Sequence, residues 1–506
     1  MYLIYIIPLI KSIYFLLLML QLDHYKISSI KNYLLRYYFK LPFIVITYLS
    51  IFLLLKNTYL NILIYVFIIV FSLIKQNYVI KLKFTKRLIR LLLLILLLST
   101  LLIFIKPSIE IFLMLLYTLP ILVFLCNLIV QPIENYIKHY YKSKTSKKLA
   151  KINPYTICIT GSYGKTSIKE MLYNIYKDKY ICFKTKSSYN TPMGIAKSVL
   201  NEMNILTELF FVEAGATTVG DIREITNIVH PNIGVITSIG PQHLNTFKTM
   251  NNVLKTKLEL SDSLPPDGKL ILNYHNQYLN GLVNKNIKET LTANSLSLHA
   301  RNIVHHDIYT EFDIYSYNKF LTHIKTKLLG ELFIHNIIIC YAVKLALDEL
   351  YPLSNDEFQT NILQLTNPNH RLSTYEITKN NTIYRFIDDS FNSNTEGFIQ
   401  AVKVLKHLNG LKVLITPGIV DSGKHSKMIA EYLTPNLKEL DDIVLVNNKE
   451  IKYLKQALLN NNINYYLVNS FNEALNYIYN KYSDFNMEVV NILLENDLPD
   501  NYLMRW

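Results

Sequence analysis

Cysteine is scarce in this chain of 506 residues, and its few copies stand far apart. The four cysteines are Cys126, Cys158, Cys182 and Cys340, and no two of them have a CxxC spacing. A structural zinc site and a disulfide framework both depend on clustered or regularly spaced cysteines. The sequence therefore predicts neither.

A nucleic-acid-binding module is also missing, although the net charge is +14. Such a module combines clustered basic side chains with interleaved aromatic residues, and no stretch of the chain has this composition. Many of the basic residues stand instead among the first 150 residues, between apolar runs. Lysine and arginine that flank membrane spans explain this pattern, so no nucleic-acid partner is predicted.

Long apolar runs, by contrast, are abundant at the start of the chain. Five of them cover residues 2–21, 42–55, 60–74, 88–105 and 109–131. A spanning helix needs roughly 17–25 residues, so the first, fourth and fifth runs qualify alone. The short second and third runs are separated only by residues 56–59, which favours a helical hairpin. We expect an α-helical transmembrane domain of about five helices over residues 1–132.

The topology of this domain follows from its basic connectors. Lysine and arginine concentrate after the first, third and fifth runs, and such connectors remain in the cytoplasm. The N-terminus is therefore expected outside, and everything after residue 132 in the cytoplasm, as in a multi-pass plasma-membrane protein. Residues 133–150 form a basic linker, which either lies near anionic headgroups or is simply solvated.

A glycine-bearing turn, Thr160-Gly161-Ser162-Tyr163-Gly164-Lys165-Thr166-Ser167, follows this linker. It stands between a strand-like apolar run, 155–160, and a helical pattern that begins at 168. In this layout backbone N–H groups and the helix N-terminus face a phosphate, the lysine reaches the terminal phosphates and the threonine hydroxyl can ligate Mg²⁺. Position 159 is isoleucine, so the turn is a shorter form of the common GxxxxGK[ST] loop. It predicts a nucleotide phosphate site.

Short strands and helices alternate from 151 to 366, which predicts an α/β sheet of βαβ units. Polar residues stand at or after the ends of its strands: Glu213, His243 and Asn273. Ligands of open α/β sheets bind at this edge. Each residue alone has an ordinary structural explanation, such as a helix cap for Glu213 or a hydrogen-bonded loop for His243. Lys257, on a following helix, could equally be solvated.

The last part of the chain, 367–506, repeats strand-helix units on a smaller scale. Strands are predicted over residues 384–388, 413–416, 443–446, 465–468 and 489–494. This pattern indicates a Rossmann-like domain. It contains no GxGxxG motif, so no dinucleotide is inferred.

Nine motifs, taken in order, resemble those of the Mur ligase family. They are TGSYGKTS, SSYNTPMG, FFVEAGA, NIGVITSIGPQHL, KTKLE, LPPDGKLILN, His335-Asn336, His370-Arg371 and IDDSFNSN. The MurF type, which adds a D-alanyl-D-alanine dipeptide to a muropeptide, is the most similar, and the resemblance runs from 151 to 502. It implies a P-loop Mur ligase central domain over 151–366 and a Rossmann-like C-terminal domain over 367–506. The implied activity is an ATP-dependent, ADP-forming peptide ligase of cell-wall precursor synthesis with an acyl-phosphate intermediate.

The resemblance also implies roles for individual residues. ATP would be bound by Gly161, Ser162, Gly164, Lys165, Thr166, Ser167, Asn273, Asn336, Asp388 and Asp389. Two Mg²⁺ ions would be held by Thr166, Glu213, His243 and Lys257. Lys257 matches a lysine that is carbamylated in the family, a change that turns a cation into a carboxylate-like ligand. The residues implied to act in catalysis are Lys165, Lys257, His243 and Arg371.

Several positions depart from the family pattern. Ile339 replaces the second asparagine of HNxxN, and His275-Asn276 replaces an acidic pair. The stretch 494–500 replaces a Lys-Gly-Ser-Arg motif, which leaves open whether the incoming amine is an amino acid or a dipeptide such as D-Ala-D-Ala. The membrane domain stands where the family has a domain for the uridine nucleotide, so we hypothesise a membrane-borne peptide precursor as acceptor.

Two other readings of the sequence stay open. The same motifs would serve a Mur-like ligase for another wall peptide, such as that of pseudomurein. The chain could also be a nucleotide-binding membrane scaffold that recruits wall-synthesis proteins. The complete set of phosphate and metal residues disfavours the scaffold, which has no need of it.

Overall fold

The computed structural model describes most of the chain outside the N-terminal region. The described residues are 3–22, 25, 82–105, 109–186, 189–240, 244–282, 289–367, 370–390, 395–419, 426–448, 451–483 and 489–495. They divide into two compact units, residues 1–140 and 141–506.

Helices make up the described part of the first unit. They are α1 (Leu3–Leu22), α2 (Lys86–Ile105) and the greater part of α3 (Ile109–Ile152). Two helical segments among the described residues, Lys86–Ile105 and Thr118–Ile152, are long and apolar enough to cross a membrane. The runs 42–55 and 60–74 lie outside the described residues. The five-helix bundle and its orientation therefore stay a prediction.

Polar contacts fix the pairing of α2 with α3. Arg90, near the start of α2, binds the carboxylate of Glu134 through Nε at 2.7 Å. Arg87, one turn earlier, donates to Gln131 at 2.8 Å. Because the start of α2 meets a late part of α3, and only residues 106–108 separate the two helices, they form an antiparallel hairpin.

The second unit contains a parallel sheet, as the alternation of strands and helices predicts. Within the described ranges it comprises β1 (Tyr155–Thr160), β2 (Cys182–Lys184), β3 (Leu209–Glu213), β4 (Ile233–Ile236), β5 (Lys269–Asn273) and β6 (Glu289–Ala293). Their order is β2-β3-β1-β4-β5-β6. Successive strand residues are buried in different cores, Ile157 and Ile159 in one and Cys158 in the other. Both faces of the sheet are therefore covered, which explains its nearly uninterrupted apolar strands.

The helices around this sheet are α4 (Lys165–Tyr176), α5 (Pro192–Glu202), α6 (Asp221–Val229), α7 (Leu244–Phe247), α8 (Met250–Asp262), α9 (Glu331–Leu347) and α10 (Asn355–Gln364). Local signals start several of them. The Thr191 side chain caps α5 by accepting from the Gly194 N–H at 3.2 Å, with Pro192 in the first turn. Ser354 and Glu357 form a capping box at α10, so two backbone donors are satisfied there.

The chain order of the strands places a switch point beside β1. The chain leaves β1 for β2 and β3 on one side of it, and then for β4 on the other side. Helix N-termini diverge at such a point and open a crevice at the carboxyl ends of the strands. The turn after β1 therefore lies where this class of sheet binds its ligand.

A three-stranded antiparallel sheet follows, which the sequence patterns did not predict. It consists of β7 (His299–His305), β8 (Thr310–Ser316) and β9 (Lys319–Thr326). Alternate residues of β8, Thr310, Phe312 and Ile314, are buried. This sheet therefore packs one face inward and leaves the other more polar.

The C-terminal sheet contains all five predicted strands and one more, with the order β10-β11-β15-β12-β13-β14. Its strands are β10 (Ser373–Lys379), β11 (Thr382–Asp389), β12 (Leu411–Thr416), β13 (Asp442–Val446), β14 (Tyr466–Val468) and β15 (Val489–Glu495). Its helices are α11 (Thr395–His407), α12 (Ser426–Leu433), the short 3₁₀ helix Thr434–Leu437, α13 (Ile451–Asn460) and α14 (Phe471–Lys481). Only β10 runs antiparallel among these described strands.

A buried ion pair joins the C-terminal sheet to the antiparallel sheet. Arg385 on β11 binds Asp307 through a guanidinium nitrogen at 2.9 Å and Glu376 at 2.8 Å. The other carboxylate oxygen of Asp307 accepts from the Asn409 N–H at 3.1 Å. Because Arg385 is largely buried, removal of Asp307 would leave a poorly compensated charge. The contact holds the two parts of the second unit together.

Candidate nucleotide and metal site

The turn after β1 packs tightly against the segment that follows β4. The Ser162 N–H donates to the Ser238 carbonyl oxygen at 2.7 Å, and the Tyr163 N–H donates to Ser238 Oγ at 3.0 Å. Gly161 has φ +147° and Gly164 has φ +81°. A Cβ atom on Gly161 would lie 2.0 Å from Thr237 Oγ1. Glycine is therefore required at 161 by both backbone conformation and space.

We expect Gly161→Ala to lower ATP affinity at least tenfold, because the added methyl group must push Thr237 and the loop apart. Gly281→Ala is the matched control, since Gly281 also has a positive φ of +81° but has nothing within 4 Å of the new Cβ. Gly281→Ala carries only the backbone cost of an alanine at positive φ, about 1–2 kcal/mol, so an ATP affinity near that of the wild type in this control would show that positive φ alone does not explain the loss. Equilibrium ATP binding to the full chain measures it. Equal affinities would show that the loop does not hold the nucleotide.

Lys165 and Thr166 begin α4 directly behind this loop. The Lys165 ammonium donates to the carbonyl oxygens of Gly161 and Ser162, at 2.8 and 2.9 Å. Burial lowers the pKa of Lys165, and the negative charge of Glu213 opposes this shift. No side chain caps the start of α4. The positive end of the helix and the lysine thus face the same place, which suits a phosphate group.

Glu213 contacts several polar side chains behind the loop. Its carboxylate is buried at the end of β3 and accepts from Thr166 Oγ1 at 2.8 Å and from Asn190 Nδ2 at 3.1 Å. The ammonium group of Lys169 lies 3.5 Å from it. A helix-capping role for Glu213, which the sequence left open, is not among these contacts.

Lys169 and Asn190 are residues of this site that the sequence analysis missed. Lys169 is fully buried, and it follows Lys165 by one helical turn, so both lysines lie on one face of α4. That spacing alone does not tell a buried lysine from a solvated one. Asn190 belongs to a motif that the sequence analysis quoted without a role. Its side chain also contacts the backbone of Gly215 closely, where an added Cβ would lie 2.7 Å from the Asn190 amide carbon.

Lys257 on α8 is buried, with 2% of its surface exposed. Burial, and after it the positive charge of Lys165, lower its pKa to about 7, against the opposing attraction of Asp221, Glu213 and Glu259. Glu259 has a different task. It accepts from the Gly220 and Arg223 N–H groups at 2.7 and 3.0 Å and so caps the start of α6.

Asn273 and Asn336 lie beside the loop on its other side. Asn273 Nδ2 donates to the Thr237 carbonyl oxygen at 2.8 Å, and Asn336 Oδ1 lies 3.5 Å from the place of a Cβ on Gly164. His275 and His335 stack next to them with ring centres 4.0 Å apart. Burial and the proximity of His275 lower the pKa of His335 to about 4. Both asparagines thus lie at the predicted edge of the sheet.

Arg371 stands in the segment between the central and C-terminal sheets. Its positive charge acts on both Lys165 and Asp389. Asp388 Oδ2 lies 2.7 Å from His370 Nδ1, and Asp389 Oδ1 accepts from the Leu372 N–H at 3.2 Å. In this structure the two aspartates therefore hold His370 and Leu372, the residues on either side of Arg371, in place.

The remaining predicted ligand, His243, lies outside the described residues. Among the residues that the structure describes, no group of three or more His, Cys, Asp or Glu side chains could hold a metal ion. The described donors that fit Mg²⁺ are the Thr166 hydroxyl and the Glu213 carboxylate, which are hard oxygen ligands 2.8 Å apart. Ser167 lies buried in the first turn of α4.

Comparison with known proteins agrees with this geometry. Residues 159–344 match the Mur ligase middle domain. The chain is 30% identical over 278 residues to the UDP-N-acetylmuramoyl-tripeptide–D-alanyl-D-alanine ligase of Buchnera aphidicola, covering 54% of this chain and 58% of that protein. It is 27% identical to the Haemophilus influenzae protein of the same name, covering 59% and 65%. The chain thus spans about three fifths of the length of these relatives.

Solved structures show the same fold. MurF from Acinetobacter baumannii superimposes with a TM-score of 0.60 at 22% identity, covering 71% of this chain and 77% of that one. MurF from Thermotoga maritima in complex with ADP gives a TM-score of 0.60 at 19% identity, covering 73% and 81%.

The sheet order and the glycine-bearing loop after β1 define an α/β domain of the doubly wound class. Residues 159–344 are a Mur ligase middle domain. Over the matched regions the chain is similar in sequence to MurF-type ligases, and it shares their fold.

Proposed function

We propose that this chain is an ATP-dependent, ADP-forming ligase that joins a carboxylate of a cell-wall peptide precursor to an amine. The observation that carries the proposal is the gathering of Lys165, Thr166, Glu213 and Lys257 at the switch point of the central sheet. Thr166, Glu213 and Lys257 stand far apart in the sequence, and the fold brings them together with Lys165. Phosphoryl transfer needs positioning and charge neutralisation, and these residues offer both.

In the proposed reaction the acceptor carboxylate attacks the γ-phosphorus of ATP and ADP leaves. The amine then attacks the carbonyl carbon of the acyl phosphate, loses a proton and expels inorganic phosphate. The loop at 161–164 and Lys165 hold the phosphates of ATP, and Arg371 approaches them from the connecting segment. Asn273 and Asn336 line the nucleotide, and closure of the C-terminal sheet over the site would exclude water from the acyl phosphate.

Mg²⁺ bound by Thr166 and Glu213, and by His243 as the sequence suggests, would offset the phosphate charge. The chemistry of Lys257 fits the carbamate that the family resemblance implies. Only a neutral amine attacks CO₂, and a pKa of about 7 leaves a large neutral fraction at cytosolic pH. The carbamate would supply a negatively charged oxygen ligand where an ammonium would repel a metal ion.

We propose further that the acceptor is membrane-borne and that the chain lies in the plasma membrane with its ligase part in the cytoplasm. The support is the pair of membrane-length apolar segments in α2 and α3. Confinement of enzyme and acceptor to one bilayer raises their effective concentration. A lipid anchor on the acceptor could in this way replace a nucleotide as the group that brings the acceptor to the enzyme.

Phosphate release by the full chain in detergent, with ATP and Mg²⁺, tests these proposals. Lipid-linked and UDP-linked tripeptide precursors are each combined with D-Ala-D-Ala or single amino acids. We expect release only when both an acceptor and an amine are present, and faster release with the lipid-linked acceptor. Release with the UDP-linked acceptor alone would refute the membrane-borne acceptor. Measurable ATP binding without release from any pair would favour the scaffold.

A further inference from the structure

Two carboxyl groups meet at the carboxyl edge of the C-terminal sheet. Asp389 ends β11 and Glu495 ends β15, and the register pairs them as direct neighbours in the parallel ladder. Paired residues of neighbouring strands point to the same face. Glu495 is fully buried, Asp389 is half-buried, and the two side chains are hydrogen-bonded. Ionised carboxylates only accept hydrogen bonds, so this bond contains a proton.

The pair is attached to the segment that carries Arg371. Asp389 Oδ1 accepts from the Leu372 N–H at 3.2 Å, and Asn367 Nδ2 donates to the Arg371 carbonyl oxygen at 3.1 Å. His370 and Leu372 both have left-handed backbones, with φ +61° and +55°. Such conformations persist in non-glycine residues only where the surroundings hold them. The contacts with Asp389 and Asp388 supply that support on both sides of Arg371.

Burial and several neighbouring charges together set the pKa of Asp389. Burial, with a smaller contribution from Asp388 on the same strand, raises the pKa of Asp389 to about 6, against the opposing effects of the bond with Glu495, the Leu372 N–H and the Arg371 charge. His370 faces Asp388 from the connecting segment. Above about pH 6 Asp389 is thus ionised, and its carboxylate holds the Leu372 N–H and attracts Arg371. Below that pH the charge is lost.

We propose that Glu495 is a positioning residue for the reaction proposed above. It shares one proton with Asp389, and the singly charged pair fixes the segment that presents Arg371 to Lys165 and the phosphate loop. The proposal rests on the proposed ligase function. Glu495 also stands within the stretch 494–500, where the sequence departs from the MurF type.

Two substitutions of Glu495 in the full chain test the role. Glu495→Gln keeps a donor for Asp389, so the acid limb of kcat/KM should stay near pH 6 with activity within about twofold. Glu495→Leu removes the donor and leaves the half-buried Asp389 without it. The acid limb should then move up by about one pH unit, and the KM for ATP should rise more than kcat falls. Asp389→Asn, which cannot ionise, should raise that KM and abolish the limb.

A merely structural role predicts a different result. Glu495→Leu would then lower activity by the same factor at every pH, and an unmoved acid limb would overturn the proposal. If Glu495→Leu does not fold, the pH profiles of the other two variants test the proposal. A shared proton requires that Asp389→Asn lose the acid limb and that Glu495→Gln keep it.

Infrared difference spectroscopy detects the shared proton directly and does not depend on enzymatic turnover. At pH 7.5 the wild-type chain should show the C=O stretch of one buried protonated carboxyl that Glu495→Gln lacks. Absence of this difference would refute the shared proton whether or not the chain is a ligase. Absence of phosphate release by the wild type with every substrate pair, with the band present, would refute the ligase function alone.

Discussion

Lys165→Met should lower ATP-dependent phosphate release by the full chain by roughly 10³-fold or more, the scale of losing a charged group that stabilises phosphoryl transfer. The ammonium group lies against the carbonyl oxygens of the loop, 2.8 and 2.9 Å away, at the start of α4. ATP brings several negative charges to this buried position, and Lys165 is the loop's own cation. Methionine keeps the length and the apolar stem of the side chain, so packing is largely preserved while the charge is removed.

Lys177→Met is the matched control, because Lys177 directly follows the last residue of the same helix and is exposed. We expect it to release phosphate at the wild-type rate. Phosphate release and equilibrium ATP binding are measured side by side for both variants. Wild-type turnover in Lys165→Met would mean that another cation, such as the buried Lys169, holds the terminal phosphate, and the assignment of the loop would be wrong.

The loop and the sheet were predictable because their signals are local. A strand, two glycines, a Lys-Thr pair and a helix stand within about twenty residues, and the structure places them as expected. Glu213 and Asn273 were predictable for a second reason. Each ends a buried apolar strand, and parallel strands bring such ends to one edge. The five C-terminal strands were found in the same way, within two residues of their observed bounds.

Other features depend on contacts that no local pattern encodes. Lys169 was missed because a lysine within a helix is ordinarily solvated, and only the fold buries it against Glu213. Glu495 follows an apolar strand and resembles any strand end, so its pairing with Asp389 depends on the strand order of a whole sheet. The antiparallel sheet β7–β9 was missed because β7 is mostly exposed and lacks the clear alternation that would mark it.

Lys257→Met should abolish phosphate release and yet stabilise the fold near neutral pH. The pKa of a lysine in the unfolded chain is near 10.5, whereas burial lowers that of Lys257 to about 7. Between these values the unfolded chain binds the extra proton, so this lysine opposes folding, and its penalty declines as the pH rises toward 10.5. Below pH 7 the folded chain must bury the charged ammonium, and the penalty is complete. Methionine removes it.

The expected gain is on the order of a few kcal/mol at pH 6 and falls progressively above pH 7. Thermal unfolding of the full chain in detergent measures it, in CO₂-free buffer without Mg²⁺ so that Lys257 stays an amine. Lys255→Met, on the exposed face of the same helix, should alter neither stability nor activity. A Lys257→Met variant less stable than wild type at pH 6 would show that Glu213 and Asp221 compensate the buried charge in full. A Lys257→Met variant that is more stable but inactive would instead show that the buried lysine serves catalysis at a cost in stability.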